Sequence, residues 1–231
     1  MIRSLFTILI LLPITAYALS ELHHSQQEAE AKQHFDEEQE VLYLPNGDAL
    51  HILSFGYRNI LSDILWFKTV SYFGKHYKSD QNYEWFNHMC HLVTDLNPQA
   101  THVYEFCGTM LSWELNKPER AIDVLTKAIE THPKSWKFLY LRGFTYMYFL
   151  EDGDSAKQDL VAAARLPGAP AFVTTLAAQK MTLSDPHSAV AFLTEALQNT
   201  TDPAQAAVLR SKLRVLETQI FQQQQKRGNA S

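Results

Sequence analysis

The chain has 231 residues, 46% hydrophobic and 12% aromatic, enough to fill the core of one ordinary domain without metals or other staples. Its net charge is −5, and it has no Lys/Arg cluster beyond Lys226-Arg227. That balance speaks against nucleic acid, and against an anionic membrane surface, as a partner.

The first 19 residues read as a targeting or anchoring element. Arg3 provides a positive start, the run from Leu5 to Leu19 is apolar, and Ala16-Tyr17-Ala18 is a small-x-small cleavage pattern. Cleavage of a secretory signal and retention as an anchor both fit. The 15-residue run contains Pro13 and is shorter than the ~20 residues a spanning helix requires. Either outcome sends the rest of the chain out of the cytoplasm, free or tethered to the inner membrane through residues 5–19. The two cysteines, Cys90 and Cys107, lie far from this junction, so a lipid-modified N-terminus is not expected.

Residues 20–40 are polar and rich in Glu, Gln and His, the composition of a spacer. Val41-Leu42-Tyr43-Leu44 then meets the turn signal Pro45-Asn46-Gly47, and a helical domain is expected over 41–227. Apolar residues recur there at three- and four-residue steps, predicting helices over about 48–77, 80–96, 100–115, 118–131, 134–151, 154–166, 170–183, 186–199 and 203–225. The first of these is unusually aromatic, with Tyr57, Trp66, Phe67, Tyr72, Phe73 and Tyr77. Those rings either pack an end unit or touch a membrane surface beside a retained anchor. The last helix turns polar at Gln222 to Gln225, as an end facing water should.

A longer period overlies the helical one. Pro98, Pro133, Pro167 and Pro203 are separated by 35, 34 and 36 residues. Gly108 and Gly143, Ala121 and Ala156, and Ala128 and Ala163 are each 35 apart; Ala189 and Ala196 follow the last two alanines at 33. A fixed period in this range marks stacked helical repeats. The small residues at these positions resemble tetratricopeptide repeats, helix-turn-helix units of about 34 residues with a small residue mid-way along the first helix and Ala twice on the second. The resemblance covers Phe55 to Pro203. It is clearest in the units holding Gly108, Ala121 and Ala128, and Gly143, Ala156 and Ala163. The first unit keeps Gly74 but has Phe86 and Val93 where Ala is expected, and the fourth is degenerate. The stretches Leu42 to Gly47, Leu53 to Tyr57 and Asp63 to Trp66 are also similar to bacterial envelope proteins that join an N-terminal anchor to such repeats.

The resemblance implies an all-α, right-handed solenoid of about four repeats with a C-terminal capping helix. Its first helices would line a concave face that holds a protein or peptide segment. Counting from the mid-helix glycines, His102, Glu105, Thr109, Trp113, Lys137, Tyr140, Phe144 and Tyr148 are expected on that face. Trp113, Tyr140, Phe144 and Tyr148 would be the anchors, because Tyr and Trp combine large rigid area with a polar tip. Glu105 and Lys137 would set orientation. Replacing Tyr140 and Phe144 together is expected to abolish capture and leave the fold intact.

Cys90 and Cys107 fall on neighbouring helices, where an oxidising compartment permits a disulfide; two small core residues are the alternative. His88 and His91, with His102 following, offer donors for a small-molecule or metal-binding accessory role, at a spacing that matches no known zinc pattern. No hydrolase, metalloprotease or phosphate-loop motif is present, so no catalysis and no cofactor are expected.

Overall fold

The chain divides into two units, Met1–Ala49 and Leu50–Ser231. The computed structural model describes residue 50 and residues 54–228, all in the second. The signal or anchor at 1–19, the spacer at 20–40 and the turn at 45–47 lie outside the described residues.

Among the described residues the protein is all-α, with no strand and nine helices. These are α1 (Arg58–Tyr77), α2 (Phe86–Leu96), α3 (Thr101–Trp113), α4 (Pro118–Thr131), α5 (Trp136–Tyr148), α6 (Gly153–Ala164), α7 (Ala171–Ser184), α8 (Pro186–Asn199) and α9 (Pro203–Gly228). Each packs on the next, and α3 also reaches α5, α2 reaches α4, and α7 reaches α9.

The local causes are visible in the ends. Pro118 and Pro186 open α4 and α8, where a missing N–H costs nothing. Asp152 and Asp185 cap α6 and α8 by accepting from Ser155 N at 3.1 Å and His187 N at 3.0 Å. Hydrogen bonding from the Ser155 side chain to Asp152 and from the Ser188 side chain to Asp185, with the backbone N–H groups adding to it, holds both carboxyls below the usual carboxylate range.

Two expected boundaries shift. The helix expected from 48 is interrupted, because Ser54–Gly56 is a turn with Phe55 at φ 47° and Gly56 at φ 91°. A non-glycine residue in that region is unusual and ends a helix. The helix expected from 80 starts at Phe86, because a polar loop precedes it. In that loop Gln81 has φ 56°, and Asp80 accepts from His76 Nδ1 at 2.5 Å and from Asn82 N at 3.1 Å.

The core is built where small residues let helices close. Gly108 on α3 faces Leu125 on α4, and a Cβ there would lie 2.7 Å from Leu125 Cδ2. A Cβ added at Gly143 on α5 would lie 3.1 Å from Asp159 Cβ and from Leu160 Cγ on α6. Ala121, Ala128, Ala156 and Ala163 are all fully buried between the same helices. Cys90 and Cys107, also fully buried, are joined by a disulfide that ties α2 to α3 across 17 residues. A second buried tie is ionic. Arg142 on α5 makes a two-pronged bond to Asp159 on α6, at 2.7 and 2.9 Å, and donates to Thr126 on α4 at 2.9 Å. Asp159 raises the guanidinium's affinity for its proton.

Towards the C-terminus, Leu160, Ala177, Ala178, Leu193, Leu209 and Leu216 form one apolar cluster drawn from α6 to α9. Among the described residues no helix is long and apolar enough to cross a membrane.

Candidate functional site: an aromatic face across alternate helices

The odd-numbered helices α3, α5 and α7 carry partly exposed aromatic side chains that touch one another. Phe144 on α5 stacks on Trp113 of α3 at 5.5 Å with ring planes 16° apart. Along α5 it also meets Tyr148 at 4.3 Å and Tyr140 at 6.0 Å. Tyr140 then meets Phe172 of α7 edge-on at 5.4 Å, and Trp136 closes the group at 6.2 Å from Tyr140 and 6.3 Å from Phe172. Edge-to-face and offset contacts at these distances are the favoured aromatic geometries, worth about 0.5–1.5 kcal/mol each beyond burial. The rings therefore hold one another in fixed positions while leaving surface free. Trp113 is 57% exposed and Tyr148 63% exposed.

The row has a charged end. Lys137 Nζ lies 2.5 Å from Glu105 Oε2, joining α5 to α3 at the surface. His102, exposed at the start of α3, packs edge-on against Trp66 of α1 at 5.3 Å; Trp66 also meets Phe106 at 5.2 Å. Thr109 is half-buried on the same helix. None of the eight residues expected from the glycine count is fully buried.

Their roles divide, however. Trp113 and Tyr148 are mostly open to solvent, whereas Tyr140 and Phe144 are half-buried, and Tyr140 packs against the C-terminal core. Burial, with Tyr148 adding to it, pushes the Tyr140 phenol up. The expectation that this pair can be replaced with the fold intact therefore concerns two side chains that are only partly open. They brace the more open rings, and Tyr140 also packs on the C-terminal apolar cluster.

Sequence reasoning stopped one unit short. Phe172 lies 35 residues beyond Lys137, as Lys137 lies 35 beyond His102. Carrying that step onward leads to an open cleft of about 800 Å³ between α7 and α9, lined by Phe172, Thr175, Leu176, Gln179, Val208 and Val215 among others. Phe172, Val208 and Val215 are each exposed. The aromatic face thus continues into an apolar cleft through Phe172.

The histidines do not converge. His88 packs on Trp85 at 6.2 Å, and His102 on Trp66. His91 is held below the ordinary histidine value by burial, with Lys127 contributing. Lys127 itself bonds Thr94 at 2.9 Å and pairs with Asp95. Among the described residues no group of three His, Cys, Asp or Glu side chains is gathered as a cation would need.

Comparison of the sequence with known protein families finds no match, and comparison with curated proteins finds none either.

Proposed function

We propose that the protein is a non-catalytic scaffold of the bacterial envelope: a tetratricopeptide-like right-handed solenoid whose concave face holds a segment of another protein. The repeat reading is supported by the spacing of contacts between helices. Asp95 pairs with Lys127 and Glu105 with Lys137, both 32 residues on. The hydroxyls of Ser112 and Thr145 lie 3.1 Å apart across 33 residues. His132 Nε2 lies 2.9 Å from Pro98 O across 34 residues. A stack of similar units makes the same kind of contact once per unit, so such separations cluster near the repeat length.

The observation that carries the binding role is the aromatic row from Trp113 through Phe144 and Tyr140 to Phe172. Partly exposed, mutually braced rings give a partner contact area at little entropic cost, because they are ordered before it arrives. The disulfide fits an oxidising compartment, and the N-terminal reading fits export. The test uses the open rings rather than the supporting ones. Trp113→Ala with Tyr148→Ala is expected to lose crosslinked partners from the native host while retaining wild-type helicity. Equal capture by wild type and this folded variant would defeat the assignment.

A further inference from the structure

The loops before α3 and α5 are closed on one another, since His132 Nε2 lies 2.9 Å from Pro98 O across 34 residues. The loops before α7 and α9 are not. Thr201 stands at the same step beyond Pro167, and among the described residues its short side chain makes no hydrogen bond. A cavity of about 510 Å³ lies there. One wall is the turn Leu166–Ala169, closed by Ala169 N donating to Leu166 O at 3.2 Å, with Gly168 at φ 78° as that turn requires. The other wall is the end of α8 and the start of α9. Phe192, Glu195 and Asn199 recur there at three- and four-residue steps on one face of α8, and Gln205 follows on α9.

The polar groups of this cavity are largely unengaged. Thr174 on α7 is 5% exposed, lines the cavity, and has no hydrogen bond from its hydroxyl among the described residues. A buried hydroxyl without a partner is costly, and a bound polar group would remove that cost. Arg165 Nη2 stands 3.9 Å from Glu195 Oε2, beyond hydrogen-bond reach, with both side chains more than half exposed. The two charges attract but are not bonded, so each keeps its donors or acceptors for another group. Arg165 is also placed by Phe192, whose ring centroid lies 6.0 Å from the guanidinium carbon. Asp202 accepts from Ala204 N at 2.9 Å through Oδ1.

We infer that this cavity binds a free α-amino acid as its zwitterion, with the carboxylate on Arg165 and the ammonium on Glu195. The charge pattern selects that class. A simple anion would meet Glu195 and Asp202, and a simple cation would meet Arg165. A neutral ligand would cover both charges and pair with neither, which costs more than leaving them in water. A zwitterion enters between them so that unlike charges alternate. An α-amino acid carries its two charges one carbon apart, a separation that suits the 3.9 Å gap. Its arrival also displaces water from the pair, which strengthens each attraction. Thr174, Asn199 and Gln205 are left for a polar side chain, and the volume is that of a small-molecule site. The cavity shares no lining residue with the cleft at Phe172, so this inference is independent of what the aromatic face binds.

The test follows the amide resonances of the isotope-labelled full chain while the common L-amino acids are added singly at millimolar concentration, L-glutamine first. At least one is expected to shift Gly168, Asn199 and their neighbours saturably and to leave α1 to α4 unmoved. Its N-acetyl form, without the ammonium, and its amide form, without the carboxylate, should each bind about ten-fold more weakly or worse, the loss of one charge-assisted hydrogen bond. Arg165→Gln and Glu195→Gln, both at exposed side chains, should each weaken binding by a similar factor with unchanged helicity. No saturable shift with any amino acid overturns the inference, as do shifts centred elsewhere. Equal shifts from the two blocked forms overturn it too, since they mean a polar cavity without charge recognition. So does binding that survives both substitutions.

Discussion

Helices α1 and α3 each carry a glycine, Gly74 in the last turn of α1 and Gly108 near the middle of α3, and they use it differently. Gly108 is pressed by Leu125, whereas a side chain at Gly74 would meet nothing within 4 Å. α3 buries Val103, Tyr104, Cys107 and Leu111; α1 buries three polar residues and one leucine. The small residue is therefore structural at Gly108, where α4 closes on it, and has no such role at Gly74. The difference teaches that a helical glycine carries a packing role only where a neighbouring helix closes on it.

The largest expected effect lies where α5 and α6 close. Asp159→Ala strands Arg142 in a site where it is mostly buried, and should cost about 3–5 kcal/mol in urea unfolding. Arg142→Met combined with Asp159→Leu should recover most of that loss, since the apolar pair leaves no charge behind. Next is the disulfide. Cys90→Ala with Cys107→Ala removes a tie across 17 residues and should lower stability by about 3 kcal/mol.

The glycines test the comparison itself. Gly108→Ala must displace Leu125 and should destabilise by about 1–3 kcal/mol. Gly74→Ala should stabilise by about 0.5–1 kcal/mol, because a helix interior favours Ala and nothing stands in the way. Equal effects at the two glycines would erase the distinction drawn between the helices.

The smallest effect is a pH dependence at the end of α1. The bond from His76 lowers the Asp80 carboxyl to about 2, with Asn82 N adding to it. A depressed carboxyl contributes stability above its unfolded value, and that contribution is lost as pH falls towards 2. The thermal midpoint should therefore fall between about pH 4 and pH 2, and Asp80→Asn should flatten that part of the profile.

Much of the helical frame was legible in the sequence, because proline and small residues punctuate it. The expected 118–131 and 186–199 coincide with α4 and α8, where Pro118 and Pro186 mark the starts. The break at Phe55 was not legible: nothing in the residue type announces a positive φ, and only Gly56 hints at a turn. The Arg142–Asp159 pair was equally hidden, since its partners sit on different helices and each alone reads as a solvated charge. On the aromatic face, counting from the glycines reached the right helices. It could not separate the open rings of Trp113 and Tyr148 from the supporting rings of Tyr140 and Phe144, because all lie on the same helix faces and differ in position along the axis: Trp113 and Tyr148 end α3 and α5, whereas Phe144 and Tyr140 lie about one and two turns further in. Phe172 was within reach of the same 35-residue step.

The central claim is that the row Trp113–Phe144–Tyr140–Phe172 is a binding face. A photo-crosslinking amino acid in place of Tyr148, in the native host, tests it most directly, with the same probe in place of Glu119, exposed on α4, as the comparison. The account predicts that the probe at 148 joins one defined segment of a partner protein, and that Trp113→Ala with Phe172→Ala removes the product while the probe at 119 never forms it. The same products from both positions, or none from 148 in a folded, abundant protein, would contradict it.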